Sequence, residues 1–172
     1  MTGTPLSPRA EPAAESDRVD AYLSGVRLLG FRAHSTRELS RKLERRGYSA
    51  EEIEVALARL TAQRYLDDVE FGRGLANRRG NTRGAVAVAA ELAAKGVPRP
   101  MVQEILADRD PELEIAGAER LARSLLGRAR GESEPGSLQS LLEIAGPRLL
   151  RRGYRPNVIR EACRRALAKR TA

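Results

Sequence analysis

RKLERRGY at residues 41–48, AELAAKGV at 90–97 and PRLLRRGY at 147–154 share one outline: a leucine, three residues ending in a basic one, a glycine, then an aromatic or β-branched residue. A glycine so placed reads as the residue just past a helix, where the left-handed backbone is strained for any residue with a Cβ. Counting back from Gly47 puts Arg46 at the last half-helical position and Leu43 three residues before it, with Tyr48 beyond. A Schellman ending folds Tyr48 onto Leu43, and the same count pairs Val97 with Leu92 and Tyr154 with Leu149. Arg45, Arg46, Lys95, Arg151 and Arg152 then lie at helix C-termini, where the macrodipole favours cations. Each stretch is a helix stop.

Each stop is followed by a helix start. Ser49 and Glu52 form a capping box, and Pro100 and Pro156 suit a first helical turn. The apolar register agrees, because Ile53, Val102 and Ile159 each lie six residues after the glycine, and Leu57, Leu106 and Cys163 each lie ten after it. Cys163 therefore fills a leucine slot, which reads as a buried, inert thiol. The glycines are 49 and 57 residues apart, a divergent repeat with room for three helices per unit. A first helix is expected over 19–32, and a capping box at Ser35-Thr36-Arg37-Glu38 opens the second. Asp67 caps a fourth, NTRG at 81–84 precedes a fifth, and Asp110-Pro111 opens a seventh running to about Arg130. GESEPG at 131–136 reads as a loop before the eighth. The expected fold is all-α: tandem three-helix repeats at 18–65, 66–109 and 110–172, forming an elongated, curved array. Residues 1–17, rich in Pro, Ala and Ser without periodicity, read as a disordered tail.

Composition narrows the class. Hydrophobic residues make up 41 % of the chain, enough for small cores, but aromatics are only 3 %. One cysteine excludes an intramolecular disulfide framework. No apolar run reaches the roughly 18 residues that span a membrane, and the N-terminus has no signal-like hydrophobic stretch, so a cytoplasmic protein with no membrane contact is expected. The net charge of +8 is confined to one end: residues 144–172 carry nine Lys/Arg against Glu161 alone, while the preceding residues balance at 22 and 22. Such a block is a solvated face or an electrostatic footprint for nucleic acid or an acidic protein surface.

Catalytic chemistry is thin. His34 precedes the Ser35 cap and reads as a loop or capping residue. Asp67, Asp68 and Glu70 sit where a helix N-terminus favours acids, which explains them without a metal. Tyr48 and Tyr154 are used in the stops and form no base-stacking platform. No phosphate-binding, nucleophile-elbow or zinc-protease motif occurs, so no active site, cofactor or metal is expected.

The run HSTRELSRKLERRGYSAEEIEVALARLTAQRYLDDVEFGRGLANRRGNTRGAVAVAAELAAKGV resembles the RecX regulatory proteins, bacterial modulators of the RecA recombinase. The likeness covers most of residues 19–170 and rests on Ser35, Glu38, Leu39, Lys42, Leu43, Gly47 and Tyr48. Asp67-Asp68 followed by Phe71, then Gly84, the ELAAKG run and RRGYRPNVIREA extend it. The resemblance implies tandem three-helix units and a protein, expected as a monomer, that lodges in the groove of the RecA–DNA filament. There it would depress ATP hydrolysis, strand exchange and repressor cleavage. DNA, single- or double-stranded, would be met weakly or through the filament. The candidate filament- or DNA-contacting residues are Arg45, Arg46, Arg78, Arg79, Arg148, Arg151, Arg152, Arg155, Arg160, Arg164 and Arg165. Where the family is often basic after the glycine at 84, this chain reads AVAVAA; Gly72 and Gly74 fall within the fourth helix, which predicts a short or mobile element. The rival reading is a stand-alone helical nucleic-acid-binding protein using helix-turn-helix pairs.

Overall fold

The computed structural model describes residues 20–127 and 136–169. Among them run α1 (Ala21–Phe31), α2 (Thr36–Glu44), α3 (Ala50–Ala62), α4 (Asp68–Gly80), α5 (Ala85–Ala94), α6 (Arg99–Ala107), α7 (Pro111–Leu126), α8 (Leu138–Arg151) and α9 (Pro156–Ala168). The described residues are all-α. The expected tail at 1–17, the end of the seventh helix at 128–130 and nearly all of the loop at 131–136 lie outside the described residues.

The stops form as the repeated outline requires. Gly47, Gly96 and Gly153 have φ of 83°, 88° and 80°. Tyr48, Val97 and Tyr154 donate their N–H to the carbonyls of Leu43, Leu92 and Leu149 at 3.3, 3.1 and 3.2 Å. Gly47, Gly96 and Gly153 donate to Glu44, Ala93 and Leu150 at 2.8–2.9 Å, completing three Schellman motifs. A fourth stop is built without glycine. Arg64 stands at φ 59°, donating to the Thr61 carbonyl at 3.0 Å while Tyr65 donates to Leu60 at 2.9 Å. Leu60 and Tyr65 have the spacing of Leu43 and Tyr48, with an arginine in the glycine's place.

Each stop anchors a separate core. Leu43, Leu92 and Leu149 are all 0 % exposed, so truncating any of them to alanine would cost about 2–5 kcal/mol. The first core joins Leu28, Leu39, Leu43, Ile53 and Leu60 from α1–α3 with Leu66 from the turn that follows, and Tyr48 packs against it. The second joins Phe71, Leu75, Val88, Leu92, Val102 and Ile105 from α4–α6. The third joins Leu125, Leu141, Leu149, Ile159 and Cys163 from α7–α9 with Tyr154 from the turn between α8 and α9. Cys163 is fully buried, and burial pushes its thiol up to about 11, which keeps it protonated and unreactive.

Two sequence expectations change. The Ser35 hydroxyl accepts from Glu38 N–H at 3.1 Å, but Glu38 does not return the bond, so the expected capping box is only half made. Its carboxylate is drawn away by Arg32, His34 and Lys95. The fourth helix is neither short nor interrupted. It runs thirteen residues, and a Cβ on Gly72 would meet Ile105 Cδ1 at 2.4 Å, so this glycine is a site of close helix packing. Its propensity penalty of roughly 1 kcal/mol is offset by the approach it permits.

The three helical triplets are joined through the stops. In the first joint the Lys95 carbonyl, one residue before Gly96, accepts from the Ser35 hydroxyl at the N-terminus of α2. Asp68 Oδ1 accepts from Thr36 N–H at 2.7 Å, and Lys95 Nζ lies 2.8 Å from Glu38 Oε1. In the second joint the Arg152 carbonyl, one residue before Gly153, accepts from Gly84 N–H at 2.9 Å at the N-terminus of α5. Val86 N–H donates to the Gly153 carbonyl at 3.1 Å, and Ala85 N–H to Glu114 Oε1 at 2.7 Å. The small residues of AVAVAA have their physical reason here: a Cβ on Gly153 would lie 2.3 Å from Ala87 N. A repeated helix stop thus also serves as the repeated joint.

Candidate binding surface

The end of α8 and the start of α9 form a sharp corner around the stop at Gly153 and project the basic block outward. Leu141, Ala145 and Leu149 turn the apolar face of α8 into the third core, leaving Arg148, Arg151 and Arg152 exposed over its last turn. On α9, Val158, Ile159, Ala162, Cys163 and Ala166 are buried, and Arg155, Arg160, Arg164 and Lys169 are exposed. The apolar register read from sequence holds here.

Internal ion pairs divide the arginines. Arg165 reaches Glu112 at 2.6 and 3.1 Å and Glu161 at 2.7 Å. The Glu112 hydrogen bond raises the Arg165 pKa, and the same bond lowers that of Glu112. Arg164 pairs with the other oxygen of Glu161, and Lys169 Nζ lies 2.9 Å from the buried Glu119 carboxylate. Arg79 grips Glu91 through Nε and Nη2 at 3.0–3.2 Å. Arg46 donates to Ser24 Oγ, and Arg45 Nε to the Arg41 carbonyl at 3.2 Å. By contrast Arg78, Arg148, Arg151, Arg155 and Arg160 make no ion pair among the described residues.

The structure brings together three of the candidates. Arg148, Arg151 and Arg152 line a hollow of about 350 Å³ with Leu121 and Leu125 of α7, and no acidic residue among the described residues borders it. Arg152 Nη1 also donates to the Thr82 carbonyl at 3.4 Å, tying this hollow to the second joint. Arg155 faces a different hollow of about 430 Å³, beside Arg109 but also Asp110 and Glu114. Arg45, Arg46, Arg78, Arg79, Arg160, Arg164 and Arg165 border neither hollow. Sequence reasoning missed Arg120, whose Nη2 donates to the Asn81 carbonyl at 3.2 Å beside the joint; nothing local marks it. It also missed Glu38 as the centre of a charged cluster.

That cluster sits in the first joint. Glu38 accepts from Arg32 at 2.8 and 3.1 Å, from Lys95 at 2.8 Å, and faces His34 Nδ1 at 3.2 Å. The Arg32 hydrogen bond, with those of Lys95 and His34, outweighs burial and holds the Glu38 carboxyl well below the usual range. Burial lowers the pKa of His34, which is only 2 % exposed and so stays neutral near neutral pH. No group of three or more potential metal ligands occurs among the described residues, and no helix there is long and apolar enough to cross a membrane.

Residues 21–60 match the family described as RecX, first three-helix domain. The chain is 38 % identical over 149 residues to the regulatory protein RecX of Mycobacterium sp. strain JLS, covering 86 % of this chain and 80 % of the relative. It is 34 % identical over 154 residues to the regulatory protein RecX of Mycobacterium leprae, covering 87 % and 88 %. The crystal structure of RecX from Lactobacillus salivarius superposes with a TM-score of 0.76 over 85 % of this chain and 94 % of that one, at 18 % identity, a likeness of fold. The three-core architecture and these relatives, matched over most of both chains, agree: the chain belongs to the RecX family of regulatory proteins.

Proposed function

We propose that this protein binds the RecA–DNA filament and restrains its ATPase, recombinase and coprotease activities, with 18–65, 66–109 and 110–172 acting as linked binding modules. Family membership supplies the direction of this reading. The observation that carries it to a surface is that Arg148, Arg151, Arg155 and Arg160 are exposed and make no ion pair among the described residues. A row of modules suits a long, repetitive partner, since several weak contacts made together give avidity that none gives alone. Regulation then requires only that one state of the filament be bound better than another.

The test is DNA-dependent ATP hydrolysis by RecA on single-stranded DNA, titrated with this protein and with a variant carrying R148Q, R151Q, R155Q and R160Q. Arg152 and Arg164 are spared because they already serve structural contacts. The variant should melt like the parent, since exposed substitutions usually change stability by under about 0.5 kcal/mol each. It should require at least about tenfold more protein for half-inhibition, equivalent to the loss of a few charge-assisted contacts. Inhibition undiminished in a folded variant would exclude this face. The rival reading, binding to bare nucleic acid, predicts that inhibition and DNA binding vanish together as salt rises, because phosphate contacts weaken steeply with ionic strength.

A further inference from the structure

Covalent connection and non-covalent fastening differ at the two joints in opposite senses. Leu66 is buried in the first core and the next residue, Asp67, already caps α4, so α3 and α4 are linked with no slack. Between α6 and α7 the turn is longer, running from Asp108 to Asp110. Yet the second joint is fastened along its backbone: Gly84 and Val86 N–H donate to the carbonyls of Arg152 and Gly153 at 2.9 and 3.1 Å. A Cβ on Gly117 of α7 would lie 3.1 Å from the Asn81 carbonyl oxygen, and α4 packs against α7. Among the described residues no backbone–backbone hydrogen bond crosses the first joint, and no helix pair across it packs as extensively. Its ties all use a side chain: Ser35 Oγ on the Lys95 carbonyl, Asp68 on Thr36 N–H, and Lys95 Nζ on Glu38. Gly96 itself approaches the Arg37 side chain, where Gly153 meets the backbone of Ala87. A hollow of about 540 Å³ lies in the first joint among Thr36, Thr61, Arg64, Asp68 and Met101, and one of about 430 Å³ in the second. Space for movement is present at both, so the fastening decides which joint uses it.

We infer that the first joint is a hinge, with α1–α3 swinging as one body about the Leu66–Asp67 link against α4–α9 as a second. The residues at the link terminate elements, which is where hinges absorb a change of φ and ψ. The first core is closed within α1–α3 and Leu66, so the swing breaks side-chain ties and leaves that core intact. Such ties contribute little each when water can replace them, whereas the backbone bonds of the second joint have to break together with the close packing beside them. The basic end thus stays fixed to α4–α6 while the first triplet adjusts its reach. That use of the hinge rests on the filament reading: a partner selects the angle that fits its sites.

Pairs of nitroxide labels on the full chain, read by double electron–electron resonance, test this directly. R27C with E104C spans the first joint, E104C with S124C the second, and R27C with E51C lies within the first triplet; all four positions are exposed. Cys163 is buried and stays unlabelled in the folded chain. The distance distribution across the first joint should be at least about twice as wide as that across the second, which should match the control pair. Equal widths across the two joints would overturn the hinge, and so would excess width at the second. Raising salt from about 0.05 M to about 1 M should widen the first distribution alone, because its ties are charged. Glu38→Gln should do the same at low salt; if that variant melts early, the salt series on the parent carries the test. Widening of both joints together would mean that these ties do not set the angle, and would overturn the assignment. Added RecA–DNA filament should then narrow the first distribution. An unchanged width with ATPase inhibition intact would overturn the use of the hinge in binding. Absent inhibition with a wide first distribution would sink the filament reading and keep the hinge.

Discussion

The two joints occupy equivalent positions and are built from different materials. Lys95 and Arg152 each precede a stop glycine, and Ser35 and Gly84 each cap the second helix of the preceding triplet. At the first joint the serine hydroxyl spans the gap to the Lys95 carbonyl, and the remaining ties are Asp68 to Thr36 and Glu38 to Lys95. At the second, the absence of a side chain on Gly84 lets its amide reach the Arg152 carbonyl directly. A side-chain spacer makes a polar, titratable link; two glycines in contact make a backbone interlock with no slack. One sequence outline thus yields a joint held mainly by charged side chains and a joint held mainly by close backbone contact, with the Glu114 carboxylate on Ala85 N–H beside it.

The largest effect should come from breaking the interlock without touching backbone strain. Gly84 has φ −74°, ordinary for alanine, yet its Cβ would lie 2.2 Å from the Gly153 carbonyl oxygen. Gly84→Ala should therefore destabilise by roughly 2–4 kcal/mol, read from thermal melts, with lost exchange protection at the Val86 amide. Gly96→Ala comes next. It meets positive φ of 88°, and its Cβ would lie 2.2 Å from Arg37 Cδ and 2.5 Å from Arg37 Cβ; the first can rotate away and the second is relieved only by a small shift of α2, so about 1–3 kcal/mol is expected. Equal losses in the two variants would erase the distinction between the joints.

Acid should separate the joints more gently. Arg32, Lys42 and Glu38 act on His34 by their charges, and burial, the largest influence, lowers the His34 pKa from its ordinary value of 6.5. A depressed histidine contributes stability that is present above 6.5 and lost as pH falls towards its folded value. Glu38 is depressed from 4.5, so its contribution is complete above 4.5 and is lost as pH falls further. Both act in one direction. Protection of the Thr36 amide, taken relative to its intrinsic exchange rate at each pH, should fall in two steps below pH 6.5 and below 4.5, while the Gly84 amide, bonded to a backbone carbonyl that does not titrate, keeps its protection. Parallel loss at both amides would mean that acid acts on the whole chain. The smallest change belongs to the stop at Arg64, where glycine would relieve φ 59°. Arg64→Gly should gain about 0.5–1 kcal/mol, a calibration of what positive φ costs where no close backbone contact is added.

The stops, the nine helices of the described residues and the buried face of α9 were legible because they depend on local rules. Left-handed φ calls for glycine, helix periodicity sorts apolar from polar, and a leucine five residues before an aromatic closes a Schellman turn. Arg64 shows where such rules miss: the LTAQRY outline carried the spacing, but the residue identity hid the conformation. Gly72 shows the opposite error, since a propensity scale counts its cost and has no term for Ile105 against its Cα.

The basic surface was legible only as composition. Eleven arginines formed one candidate set in sequence because charge has no periodicity that reveals its partner. By itself the sequence determined the helical repeat, its three stops and the concentration of charge at one end, all consequences of torsional preference and hydrophobic spacing. Tertiary structure decided which arginines are already neutralised, that a helix stop doubles as a joint, and that Arg148 and Arg151 share a hollow with Leu121 and Leu125. Those facts are distances between residues far apart in the chain, such as the 53 that separate Glu112 from Arg165, and close contact across such separations is set by packing of whole helices.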